Sequence, residues 1–151
     1  AMSQHVIEHL ELRSELLPLL RDLRRVLRTG GEIWLTCPDI EKVCRSYHEH
    51  RMTDLIDDRE ERSRALWVKP WTLDAEVGLE GVPSSHMINS LFHQGFEHRN
   101  LFDLELLRWL LELAGFGEVE RVDEGLLRAA YPEVPLRADD AQSLYVKAVA
   151  V

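Results

Sequence analysis

Leu27-Arg28-Thr29-Gly30-Gly31-Glu32-Ile33-Trp34-Leu35-Thr36-Cys37-Pro38 decides how this sequence folds. A leucine-bearing helical pattern runs into two glycines, and a short, almost wholly apolar segment follows. Gly30 predicts a left-handed helix cap. Apolar side chains pointing both ways over 32–37 predict a strand covered on both faces, as in a parallel sheet. Pro38-Asp39 stops it, and Asp39 predicts the cap of a helix with Ile40, Val43, Cys44 and Tyr47 along one side.

Upstream, Leu16, Leu20, Leu23 and Leu27 recur at helical spacing, with Leu17 and Val26 beside them, so 14–28 is expected to be helical. Pro18 fits only near its start. Downstream, 53–67 reads as a polar helix. The stretch 68–100 holds Pro70, Gly78, Gly81, Pro83, Gly95, Trp71 and three histidines, and reads as an irregular insert that is functional or mobile. Within it, Ser84 or Ser85 is expected to cap a short helix carrying Met87, Ile88, Leu91 and Phe92. Asp103 predicts the cap of the clearest helix, whose stripe is Leu106, Leu107, Leu110, Leu111 and Ala114, and Gly115 its end. Segments 117–123 and 143–150 read as strands, joined by a segment holding Pro132 and Pro135.

The length, 151 residues, suits one domain, and 45% hydrophobic residues can build a core. A net charge of -9 disfavours nucleic acid and anionic membrane surfaces unless basic residues cluster. They do not: Arg21, Arg24, Arg25 and Arg28 are spread along one helix, and Arg59, Arg62 and Arg64 alternate with acids. Cys37 and Cys44 are too few for a disulfide framework and read as reduced core thiols of a cytoplasmic protein. No apolar run approaches the ~20 residues of a membrane span, and no signal peptide is expected. Ala1 ahead of Met2 reads as a cloning remnant.

The order is helix, strand, helix, insert, helix, strand, loop, strand. With Glu8-His9, the Leu27 to Gly31 turn, the strand ending at Pro38, His98 before Phe102-Asp103, and Ala114-Gly115-Phe116, it resembles the second half of a class I S-adenosylmethionine-dependent methyltransferase. The resemblance spans most of the chain. It implies a partial Rossmann-like α/β sheet with flanking helices and two C-terminal antiparallel strands, the last inserted beside the strand at 32–37. Residues 1–151 would then be a single truncated methyltransferase-like domain with its insert at 68–100. It further implies S-adenosylmethionine as cofactor, with Ser3, Gln4 and His5 in the loop near its methionine end. His9 and His98 are implied as substrate-side catalytic residues. Each also has a plainer reading, as a histidine that fixes a turn or a helix start by hydrogen bonding.

The departure from the family is the missing cofactor half. No Gly-x-Gly precedes the first helix, and no acidic residue stands where a second strand would end. The chain alone is therefore expected not to bind cofactor. The rival readings are a non-enzymatic interaction module and one half of a split methyltransferase. An open side of the 32–37 strand, flanked by Ile33, Leu35 and Cys37, predicts a homodimer or a partner that supplies the N-terminal half. A small molecule would be the substrate, bound over 68–100.

Other chemistry was weighed. His5-x-x-Glu8-His9 fits an inverted zincin pattern, with a third ligand from His86, His93, Glu97 or His98. That reading needs a long continuous helix, so no metal site is assigned to His5 and His9. Ser84-Ser85-His86 lacks a nucleophile elbow. Trp34 and Trp109 are expected in the core, and Trp67 and Trp71 at a lid or interface.

Overall fold

The computed structural model describes residues 1–67, 69–135 and 137–151. Val68, the first residue of the expected insert, lies outside them. Four strands form one open mixed sheet: β1 (Met2–Gln4), β2 (Glu32–Pro38), β3 (Phe116–Val122) and β4 (Ser143–Ala150). Their order is β1-β2-β4-β3. β1 runs parallel to β2, whereas β4 is antiparallel to both β2 and β3. The α/β class expected from the sequence is present.

The alternation along β2 explains its apolar character. Ile33, Leu35 and Cys37 enter the main core, and Trp34 enters a second cluster on the opposite face with Leu127 and Tyr145. Both faces are covered, as the pattern predicts. The expected open side of β2 is not open. Met2, Ser3 and Gln4 pair with Trp34, Leu35 and Thr36. Three residues suffice because pairing satisfies main-chain N–H and C=O groups, whatever the side chains. Of the leucines expected to lose cover, Leu16 and Leu20 are buried, and Leu23 and Leu27 are half-buried against the main core.

Helix α1 (Leu17–Val26) follows a wide π-turn, Leu12–Leu16, whose start is capped by Glu11. The helix ends before the glycines. Leu27 is already extended, and Gly30 (φ 79°) instead turns the chain into β2, a turn closed by Gly31 N–H donating to the Arg28 carbonyl at 2.8 Å. A side chain at Gly31 would meet that carbonyl at 2.8 Å, so glycine is required there too. Asp39 caps α2 (Ile40–His48), accepting from Glu41 N–H at 3.0 Å. Only Val43 of α2 is buried, so Cys44 is exposed rather than a core thiol.

Helices α3 (Met52–Leu66) and α5 (Met87–His93) join α2 in a small separate core of Val43, Met52, Leu55, Met87 and Leu91. The insert is more ordered than expected, adding α4 (Leu73–Val77) before α5. Neither Ser84 nor Ser85 caps α5; a single tight turn, Ser84–His86, leads into it. Helix α6 (Leu104–Leu113), capped by Asp103, buries Leu107, Leu110 and Leu111 against the sheet. Trp109 faces away from that stripe and is 53% exposed, a correction to its expected core place. Helix α7 (Glu124–Ala130), capped by Asp123, occupies the segment expected to be a plain connection and covers Trp34 and Tyr145. Among the described residues, no helix is long and apolar enough to cross a membrane.

Candidate functional site

The carboxyl ends of β1 and β2 and the start of β4 meet at one end of the sheet, since Pro38 pairs with Ser143 and Gln4 with Thr36. In open α/β sheets this end is where ligands bind. Here β1 gives way to His5, which adopts a left-handed φ of 50°, and then to one tight turn, Ile7–His9. The His5 N–H donates to the Thr36 carbonyl at 2.9 Å, tying the turn to β2. From the far side, the N–H groups of Arg99 and Asn100 donate to the Glu8 carbonyl at 2.8 and 3.2 Å, and the Asn100 amide donates to the Leu10 carbonyl at 2.5 Å. These bonds staple 98–100 onto 8–10.

The staple brings Glu8, His9 and His98 together. Their rings and carboxyl offer atoms that all lie within 4.8 Å of one another. The two imidazoles meet edge to face, 4.7 Å between centroids. His9 Nδ1–H donates to the Glu97 carbonyl at 3.2 Å, and His98 Nδ1–H to the Leu91 carbonyl at 2.6 Å. A carbonyl only accepts, so in both rings Nδ1 carries a hydrogen, and in the neutral ring Nε2 is the acceptor. His98 is 9% exposed, and its Nε2 has no hydrogen-bond partner among the described residues. Burial holds its pKa below the ordinary value, keeping the ring neutral. The Glu8 side chain is 1% exposed, and neither oxygen has a hydrogen bond among the described residues.

A second network continues from the same turn. His5 Nε2–H donates to Asp139 Oδ2 at 3.0 Å, with Ser143 Oγ at 3.2 Å. Tyr145 OH donates to Asp139 Oδ1 at 2.5 Å, and Arg137 Nε–H to Oδ2 at 2.9 Å. Burial alone would raise the Asp139 pKa, but the bonds from His5, Tyr145 and Arg137 hold it well below the usual carboxylate range. Burial and the Asp139 charge push the Tyr145 hydroxyl far above the ordinary phenol value, so it stays a donor. Burial also works against a charged His5, yet Asp139 and Glu8 outweigh it and raise its pKa. His5 Nδ1 lies 3.2 Å from Glu8 Oε1, outside hydrogen-bond geometry. It links the two networks electrostatically.

Of the residues singled out in the sequence, His5, His9 and His98 converge here. Ser3 and Gln4 lie in β1 beside them, and the Gln4 amide nitrogen is buried without a partner. His5 and His9 do not share a helical face, because the chain makes one tight turn rather than the helix an inverted zincin needs. Sequence reasoning missed Asp139, Tyr145 and Arg137. The only signal was Asp139-Asp140 ahead of a strand, which reads as an ordinary loop. Trp71 packs under the Arg59 guanidinium, which lies 4.2 Å from its ring centroid, and donates to Glu76. A surface hollow of about 770 Å³ lies elsewhere, beside α2 and α6. Its guanidinium groups are already engaged, Arg121 with Asp39 and Glu41, Arg45 with Glu41, and Arg108 with the Val119 carbonyl. No protein-family model and no curated protein matches this sequence.

Proposed function

We propose that this chain is the substrate-side half of a methyltransferase-type α/β fold that works with S-adenosylmethionine. The observation that carries the reading is the reversed strand. β4 lies antiparallel between β2 and β3, where the resembling family inserts its final strand beside its fifth. β1 then stands as the family's fourth strand, and the turn after it as the loop near the methionine end of the cofactor. Ser3, Gln4 and His5 face cofactor, and His9 and His98 face the methyl acceptor. His9 is the more accessible of the two, with its side chain 29% exposed. Methyl transfer asks mainly for an acceptor held in line with the sulfonium methyl, which a stapled, rigid turn can supply. The acceptor is a small molecule.

The chain carries no glycine-rich turn, so alone it holds cofactor weakly. A second reading, an interaction module or one half of a split enzyme, draws on the free edge of β1. His5 N–H and the Ala1 carbonyl bond to β2, so the intervening Met2 and Gln4 main-chain groups face outward. A second copy, or a chain supplying the remaining strands, would pair there. Fusing the glycine-rich half of a class I methyltransferase ahead of Met2 and titrating S-adenosylhomocysteine tests the proposal. Binding by the fusion beyond that of the grafted half alone supports it, and equal binding overturns it.

A further inference from the structure

We propose that Glu8, His9 and His98 form a binding site for one divalent transition-metal ion. The inference goes beyond the methyltransferase reading and does not rest on it. Two imidazoles and a carboxyl group offer ligand atoms that all lie within 4.8 Å of one another. With the Nδ1–H of each ring spent on a backbone carbonyl, Glu97 at 3.2 Å and Leu91 at 2.6 Å, Nε2 is the nitrogen each neutral imidazole has left to bind a cation. That backbone anchoring of the second nitrogen is how proteins orient imidazoles that ligate metals. Glu8 Oε1 is 4.0 Å from His9 Nε2, too far for a shared proton. His5 compensates Oε1 from one side at 3.2 Å, but Oε2 and His98 Nε2 have nothing. A buried carboxyl and a buried imine nitrogen left unpaired are each costly, and such groups call for an explanation. A cation at their centre satisfies all three at once.

The donor set selects the kind of cation. Two imidazoles and one carboxylate suit zinc or ferrous iron, whereas magnesium and calcium prefer oxygen ligands. Ligands of a tetrahedral ion at about 2.1 Å stand roughly 3.4 Å apart. Atoms already within 4.8 Å reach that spacing by small side-chain rotations. The scaffold is firm, since 98–100 is bonded to the Glu8 carbonyl and to Leu10. Asp139 holds His5 Nε2 at 3.0 Å, which keeps His5 out of the ligand set and behind Glu8. Three protein ligands leave a coordination position open, on the side where His9 reaches solvent, for water or an oxygen of a bound molecule.

Zinc is the probe. Tag-free protein is stripped with chelator, then titrated with Zn²⁺ by calorimetry, with Co²⁺ absorption reporting ligand type. One equivalent should bind with micromolar or tighter affinity. His9→Gln and His98→Gln should each weaken binding at least tenfold, while His48→Gln, on α2, should not. Circular dichroism checks that each variant folds, and the half-exposed His9 keeps the test alive if His98→Gln does not. Absence of saturable binding overturns the proposal. So does binding that His9→Gln leaves unchanged, or that is lost in a folded His5→Asn variant while His9→Gln retains it.

Discussion

His5 Nε2 and Asp139 Oδ2 meet at 3.0 Å across 134 residues of sequence, joining the turn after β1 to the loop before β4. The pair makes stability depend on pH with a defined sign. His5 has a raised pKa in the folded protein, so its contribution is complete below its ordinary value of about 6.5 and is lost as pH rises through the raised value. His98, lowered by burial, acts in the opposite direction: its contribution is present above about 6.5 and is lost as pH falls. Comparing wild type with His5→Gln isolates the first effect. The difference in urea midpoint should be largest near about pH 6 and shrink toward alkaline pH. A difference that grows with pH would contradict the assignment.

Asp139 should be the most sensitive polar position. It is fully buried and accepts from His5, Tyr145 and Arg137. Asp139→Ala strands those donors and should cost about 3–5 kcal/mol at neutral pH by denaturant unfolding. A loss below about 1 kcal/mol would mean that water replaces the carboxylate freely.

The main core gives a contrast on a single helix. Leu107→Ala removes a fully buried side chain of α6 and should cost about 2–5 kcal/mol. Trp109, two residues on, is 53% exposed, and its replacement by Ala should change stability by less than about 1 kcal/mol. Similar losses at both would place Trp109 against a surface that the isolated chain does not contain.

How much of this could be read from the sequence depends on whether the signal was local. The strand from Glu32, the Asp39 and Asp103 caps and the α6 stripe are patterns within one turn or one pleat, and they stand where expected. Gly30 was misread because a left-handed glycine serves a turn as well as a helix end, and here the helix stops at Val26. Cys44 and Tyr47 were assigned to an apolar face, but α2 rests on the small core through Val43 alone. β1 was missed because three residues carry no periodicity. The site is the least legible part. Glu8 and His98 meet through main-chain bonds made by Arg99 and Asn100, and backbone bonds leave no trace in side-chain pattern. Asp139 joins His5 only once β4 has reversed between β2 and β3.

Assembly is expected at β1 rather than β2. Light scattering at micromolar concentration should give twice the 17.5 kDa chain mass. Met2→Pro, which removes an outward-facing N–H, should return the chain to monomer. A wild-type monomer would show that the β1 edge is silent on its own.

Cofactor affinity tests the account's central claim most directly. The isolated chain should bind S-adenosylhomocysteine more weakly than about 10 μM, short of roughly 7 kcal/mol of binding. Calorimetry on the fusion with a glycine-rich half should give micromolar affinity, and Gln4→Ala or His5→Ala within that fusion should each weaken it about tenfold. A folded fusion that binds no better than the grafted half alone, or that ignores both substitutions, would contradict the claim that the end of β1 faces the cofactor.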